Sequence, residues 1–200
     1  MKNAPITIAL AGRKGGIGKT TLTLAIAARL ARAKKRVVVL DLDPQGSLTL
    51  ALSGVEWPNV TPLPVNPKGI TKATLRAIDA DVVLLDCPPA MPLLDVAISK
   101  TVHAMLVLAE AHIFAIAGAM RLLEDLPAKT RSALVLNRLD ERRSRDRLAK
   151  KQLGALGVPL FTIRSDGPLV TSIFKGKVPA AVGRSASDLR LLVKWILSLK

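Results

Sequence analysis

"GRKGGIGKTT", residues 12–21, decides the fold. A plain phosphate-binding loop, G-x-x-x-x-G-K-[ST], needs a glycine five residues before Gly18; this chain has Arg13 there, and then an additional lysine, Lys14. The rest of the stretch keeps the loop's chemistry. Gly15, Gly16 and Gly18 let the backbone fold tightly and turn successive N–H groups toward an anion, and the helix beginning near Thr20 adds the positive end of its dipole. Lys19 is placed to reach β- and γ-phosphates, and the Thr20 hydroxyl to bind Mg²⁺. Glycine-rich turns ahead of helices also arise by chance, but here strand, loop, Gly-Lys-Thr-Thr and helix follow in order.

Outward from the loop, short β-branched runs alternate with amphipathic stretches. The runs are "ITIALA" (6–11), "RVVVLD" (36–41), "NVTPLPV" (59–65), "DVVLLD" (81–86), "AMLVLA" (104–109), "SALVLN" (132–137) and "PLFTI" (159–163). Between most of them lie segments of helical period such as "TTLTLAIAARLARA" and "RDRLAKKQLGAL". Strands alternating with helices imply crossovers and a parallel sheet covered on both faces, and continuous apolar runs fit burial on both sides. The expected class is α/β, doubly wound, with a mostly parallel sheet of about seven strands flanked by helices. Residues 1–200 read as one domain, and the proline-rich piece 57–69 reads as a loop with an edge strand.

Composition bounds the function. Half of the 200 residues are hydrophobic, enough for one sizeable core. No long uncharged apolar run and no cleavage site is evident, so a cytosolic protein is expected. A single cysteine, Cys87, leaves no thiolate cluster for zinc or iron–sulfur chemistry. The formal net charge of +15 points to a polyanionic partner or an anionic membrane.

Ligands of doubly wound sheets bind beyond the carboxyl ends of the strands, so the residues just after each run are the informative ones. "VVLLD" ends on Asp86, a carboxylate placed for a magnesium shell; Asp41 and Asp43 follow the second run, and either could orient an attacking water. Together "KGGIGKTT", "DLDPQGS", "DCPPA" and "NRLDER" resemble, over nearly the whole chain, the deviant phosphate-loop ATPases of the ParA/MinD family.

That resemblance implies an ATPase with ATP and Mg²⁺ as cofactors, and it gives Lys14 a role: reaching across a homodimer to the ATP bound in the partner. It further implies that Gly15, Gly16, Ile17, Gly18, Lys19, Thr20 and Thr21 cradle the phosphates. Thr20 ligates Mg²⁺, Asp43 positions the attacking water near the metal, Asp86 holds the magnesium shell, Asn137 bonds adenine, and Pro179 lies near the base. A cation supplied in trans would neutralise charge developing on the γ-phosphate and make dimerisation depend on the nucleotide.

Iron–sulfur relatives need cysteine pairs and tyrosine-kinase relatives carry tyrosine clusters, whereas this chain has one Cys and no Tyr. The first strand begins almost at once, so no helix-turn-helix is expected ahead of it. The leading expectation is a short ParA-like protein whose ATP-state homodimer binds nonspecific double-stranded DNA and positions a plasmid, chromosome region or protein cargo. It would be cytoplasmic and nucleoid-associated, with hydrolysis stimulated by a ParB-like or cargo-adaptor protein. Basic charge is densest in "RLDERRSRDRLAKK" (138–151), with Arg142, Arg143, Arg147, Lys150 and Lys151 as candidate DNA contacts, and it returns at Lys175, Lys177 and Arg184. The alternative is a MinD-like protein attached to membrane through the amphipathic segment 187–200; an apolar stripe on a last helix is more often a packing face.

Overall fold

The computed structural model describes residues 4–175, 177 and 183–199. Strands β1 (Ile6–Ala11), β2 (Val37–Asp41), β3 (Val60–Leu63), β4 (Val82–Asp86), β5 (Ala104–Ala109), β6 (Ser132–Leu139) and β7 (Leu160–Arg164) form one seven-stranded sheet in the order β3-β2-β4-β1-β5-β6-β7. Every pairing is parallel. The helices are α1 (Lys19–Arg32), α2 (Ser47–Leu52), α3 (Lys72–Ala77), α4 (Pro92–Ser99), α5 (Ile113–Asp125), α6 (Ser144–Gly154), α7 (Gly167–Phe174) and α8 (Ala186–Leu197).

Alternate residues of the central strands feed two separate cores, as the two-residue period of a strand requires. Ile8, Leu10, Val39, Leu84 and Leu106 pack with α1 and α8, while Ala9, Leu40, Leu85, Met105 and Val107 pack with α3, α4, α5 and α6. All six residues of β1 are buried, so the strand feeding the phosphate loop lies in the driest part of the molecule. β3 carries Pro62 and pairs only with β2, an edge position where a missing N–H is harmless.

One difference from the sequence reading and one alternative it left open matter here. β6 runs past Asn137 to Leu139, and its pairing with β7 slips between Leu136 and Leu139, with Arg138 at φ 55°. This irregularity turns Asn137 and Arg138 toward the phosphate loop. The second concerns the last helix: Leu189, Leu192, Val193 and Ile196 of α8 are buried in the core, and Trp195 meets Phe161 with ring centroids 5.7 Å apart. The apolar stripe that suggested membrane attachment is therefore a packing face. Among the described residues no helix is long and apolar enough to cross a membrane.

Leu84 is fully buried between the sheet and α1, whereas Leu93 is 89% exposed. Leu84→Ala is expected to cost about 2–5 kcal/mol in denaturant unfolding, and Leu93→Ala less than about 0.5.

Candidate nucleotide site

Strand register brings the acidic residues together: Asp86 lies beside Asp41 on one side and Leu10 on the other, at the carboxyl ends of β2, β4 and β1. The loop after β1 closes over them. Gly18 begins α1 at φ 85°, and a Cβ there would stand 2.6 Å from Asn137 Nδ2, so only glycine fits. The buried Asn137 donates from Nδ2 to the Ile17 carbonyl at 2.9 Å, and Arg138 donates to the Gly16 carbonyl at 3.0 Å while pairing with Glu110 at 2.7 Å. Asn137 is thus placed as a strut beneath the loop. Sequence reasoning gave Arg138 no role; its one visible signal was a cation directly after Asn137 at a strand end.

A cavity of about 650 Å³ opens above the loop, lined among others by Gly15, Gly16, Gly18, Lys19, Thr20, Thr21, Asp43, Pro89 and Arg138. Ile17 points the other way, its side chain buried in the core. Lys14 is not part of that lining, and among the described residues it makes no hydrogen bond or ion pair. Pro179 lies outside the described residues.

Asp86 is 1% exposed, and the Thr20 hydroxyl donates to its Oδ2 at 2.6 Å. Its Oδ1 is buried with no hydrogen-bond partner among the described residues. Burial pushes this carboxyl up to about 7, the Thr20 bond opposes the rise, and Asp41 adds to it. Burial lowers Lys19 in turn, against the pull of Asp86 and Asp43. The cradle holds two groups whose charges are unfavourable until something compensates them. A divalent cation would favour the ionised Asp86, and phosphate oxygens the charged Lys19.

An orphaned carboxylate oxygen beside a hydroxyl suits Mg²⁺, which keeps most of its shell as water and phosphate oxygen. Asp43 lines the same cavity, and its Oδ1 accepts the Gln45 N–H at 3.0 Å. Asp41 is otherwise engaged: its Oδ2 accepts both the Thr49 N–H at 2.9 Å and the Thr49 hydroxyl at 3.0 Å, fixing α2.

Arg13 turns away from the cavity. It pairs with Asp125 at 2.5 Å and lies 3.7 Å from the buried Asp95, resting against Gly118 of α5. The residue that breaks the plain loop motif ties the loop to α4 and α5.

Of the candidate DNA contacts, Arg142, Arg143 and Arg184 line one hollow with Arg164 of β7. Arg142 grips Asp140 with two bonds of 2.9 Å and holds its carboxyl down to about 2; Arg143 is 3.5 Å from the same group. Lys150 pairs with Glu141 at 2.7 Å, and Arg147 donates to the carbonyls of Glu141 and Arg142. Lys151, Lys175, Lys177 and Arg184 are exposed. Much of the charge in this run is answered within it.

Between pH 3.8 and about 7 the folded, metal-free chain holds the Asp86 proton while the unfolded chain releases it. This group's contribution to stability is therefore lost as pH rises through that window. Asp86→Asn is expected to remove that pH dependence in thermal melts without lowering Tm at pH 7, and to abolish Mg²⁺-dependent nucleotide binding.

Residues 8–179 match the CobQ/CobB/MinD/ParA nucleotide binding domain. The chain is 34% identical over 150 residues to the chromosome-partitioning ATPase Soj of Thermus thermophilus, an alignment spanning 60% of each protein. It is 29% identical to the maintenance of carboxysome distribution protein A of Halothiobacillus neapolitanus, over 93% of both chains. Among solved structures, the Cyanothece McdA–ATP complex superposes with a TM-score of 0.81 at 19% identity, covering 100% of this chain and 98% of that one. MinD of Aquifex aeolicus gives 0.79 at 18%, covering 96% and 97%. With its phosphate loop, seven-stranded parallel sheet and match over residues 8–179, the chain belongs to the CobQ/CobB/MinD/ParA family of nucleotide-binding domains, whose ParA/MinD branch includes the ATPase Soj.

Proposed function

We propose that this protein is a ParA-like positioning ATPase whose ATP-bound homodimer holds nonspecific DNA and whose hydrolysis of ATP to ADP and phosphate releases it. The observation that carries the reading is the pairing of Thr20 with a half-satisfied, buried Asp86 at the foot of the Lys19 loop, while Lys14 stands uncommitted above. The relatives named for chromosome partitioning and carboxysome distribution support the positioning role.

In this reading the N–H groups of residues 15–21 and the Lys19 ammonium bind the phosphates. Thr20 and Asp86 hold Mg²⁺, which when bound neutralises charge on the phosphate oxygens. Asp43 orients the water that attacks the γ-phosphorus. Lys14 enters the partner's site, so that two nucleotides join two copies. Asn137 keeps the loop in shape from below and is within reach of the base. A ParB-like or cargo-adaptor protein stimulates turnover, and the protein is cytoplasmic and nucleoid-associated. The burial of the α8 stripe weighs against the membrane-attached alternative.

Lys14→Ala is expected to keep ATP affinity within about threefold and to remove the ATP-dependent dimer in size-exclusion light scattering. A dimer that persists would end the trans-lysine role. Asp43→Ala should slow hydrolysis at least about tenfold and prolong the ATP dimer; an unchanged rate would assign the water to another group.

A further inference from the structure

Five exposed cations from separate segments come together at the end of the sheet opposite the nucleotide cavity, where the strands begin. Two hollows meet there at His103. One, of about 540 Å³, is lined by Lys100, Lys129 and Arg131, among others; the other, of about 100 Å³, lies under α3 with Lys72 and Arg76. Among the described residues no Asp or Glu lines either hollow. All five cations are exposed, and none forms an ion pair among the described residues. The contrast with the run at 138–151, where Arg142, Arg143, Arg145 and Lys150 each face a carboxylate, is direct.

His103 is held in one tautomer. The Thr7 backbone N–H donates to its Nδ1 at 3.0 Å, and an N–H can only donate, so Nδ1 accepts and Nε2 carries the ring proton. The Thr7 hydroxyl lies 2.7 Å from the same Nδ1, and the His103 N–H donates back to it at 3.0 Å. Nε2–H has no partner among the described residues, leaving one fixed donor between the two basic hollows. Partial burial and the nearby Lys72, Arg76 and Arg131 hold the imidazole below its ordinary pKa, a field that an incoming anion would reverse.

Among the described residues the lining offers cations and donors but no Asn, Gln, Phe, Tyr or Trp side chain with which to read or stack bases. Cations spread over two adjoining hollows match repeated phosphates better than a single compact anion. We propose that this basal surface, formed by Lys72, Arg76, Lys100, His103, Lys129 and Arg131, binds the phosphate backbone of duplex DNA independently of sequence. The proposal rests on the DNA-binding reading given above. The surface lies at the end of the sheet away from the nucleotide cavity, so variants there separate DNA binding from ATP binding.

The test is fluorescence anisotropy of a labelled random-sequence duplex with the full chain, Mg²⁺ and ATP over a salt series. The paired variants Lys129→Gln with Arg131→Gln, and Lys72→Gln with Arg76→Gln, are each expected to weaken binding about tenfold and to lower the log K against log salt slope by about 2. Arg142→Gln with Arg143→Gln should change affinity less than about threefold. Unchanged binding of a fluorescent ATP analogue shows that the variants are folded. In NMR titrations His103 should protonate at higher pH with DNA present, with His112 as the reference signal. Wild-type binding that survives in both basal variants overturns this proposal and leaves DNA binding to another surface. Loss of polyglutamate binding without loss of DNA binding assigns the surface to an acidic protein and equally overturns it. A wild-type chain that binds no duplex with ATP, with ADP or without nucleotide overturns the DNA reading and this proposal with it.

Discussion

Asp86 is a carboxylate set at the end of the most buried strands of the sheet, with one oxygen on the Thr20 hydroxyl and the other without a partner among the described residues. Ionising such a group away from water is costly unless a cation compensates it, which is why its proton is held to about 7. The cost follows from the architecture. Parallel strands must be covered on both faces, so a residue that closes β4 between β1 and β2 has little access to solvent. The same arrangement presents the Lys19 loop directly above, and the two buried groups become mutually compatible once phosphate and metal lie between them.

The loop itself is held from three directions. Asn137 and Arg138 support its carbonyls from the irregular end of β6, and Ile17 anchors it in the core. Arg13 fastens its first residues to Asp125, next to Asp95. A backbone so braced can aim its N–H groups at phosphates before any ligand arrives, the condition for electrostatic stabilisation without reorganisation. Arg13, which breaks the plain motif, is part of that bracing and stands clear of the phosphates.

Charge is divided along the axis of the sheet. At the nucleotide end, Arg142, Arg143, Arg145 and Lys150 of the 138–151 run are answered by Asp140, Glu141 and Asp146, so a segment that reads as strongly basic carries less free charge than its composition implies. At the opposite end, Lys72, Arg76, Lys100, Lys129 and Arg131 come from separate segments and look unremarkable in sequence. Linear density is a poor guide to a potential that depends on which side chains fold next to which.

The sequence by itself determined the strand–helix alternation, the phosphate loop, the edge position of the Pro62 strand and the carboxylate ending β4. Each is written in local terms: periodicity, glycine spacing, a proline without an N–H, an acidic residue closing an apolar run. Tertiary structure alone decided which of two neighbouring acids is committed to fixing α2, that Arg138 braces the loop, and that the stripe on α8 faces the core. It also brought five cations from separate segments around two adjoining hollows. These outcomes depend on contacts between residues far apart in the chain, and an apolar stripe or a charge has the same local pattern whether its partner is solvent, a membrane or the far side of the same molecule.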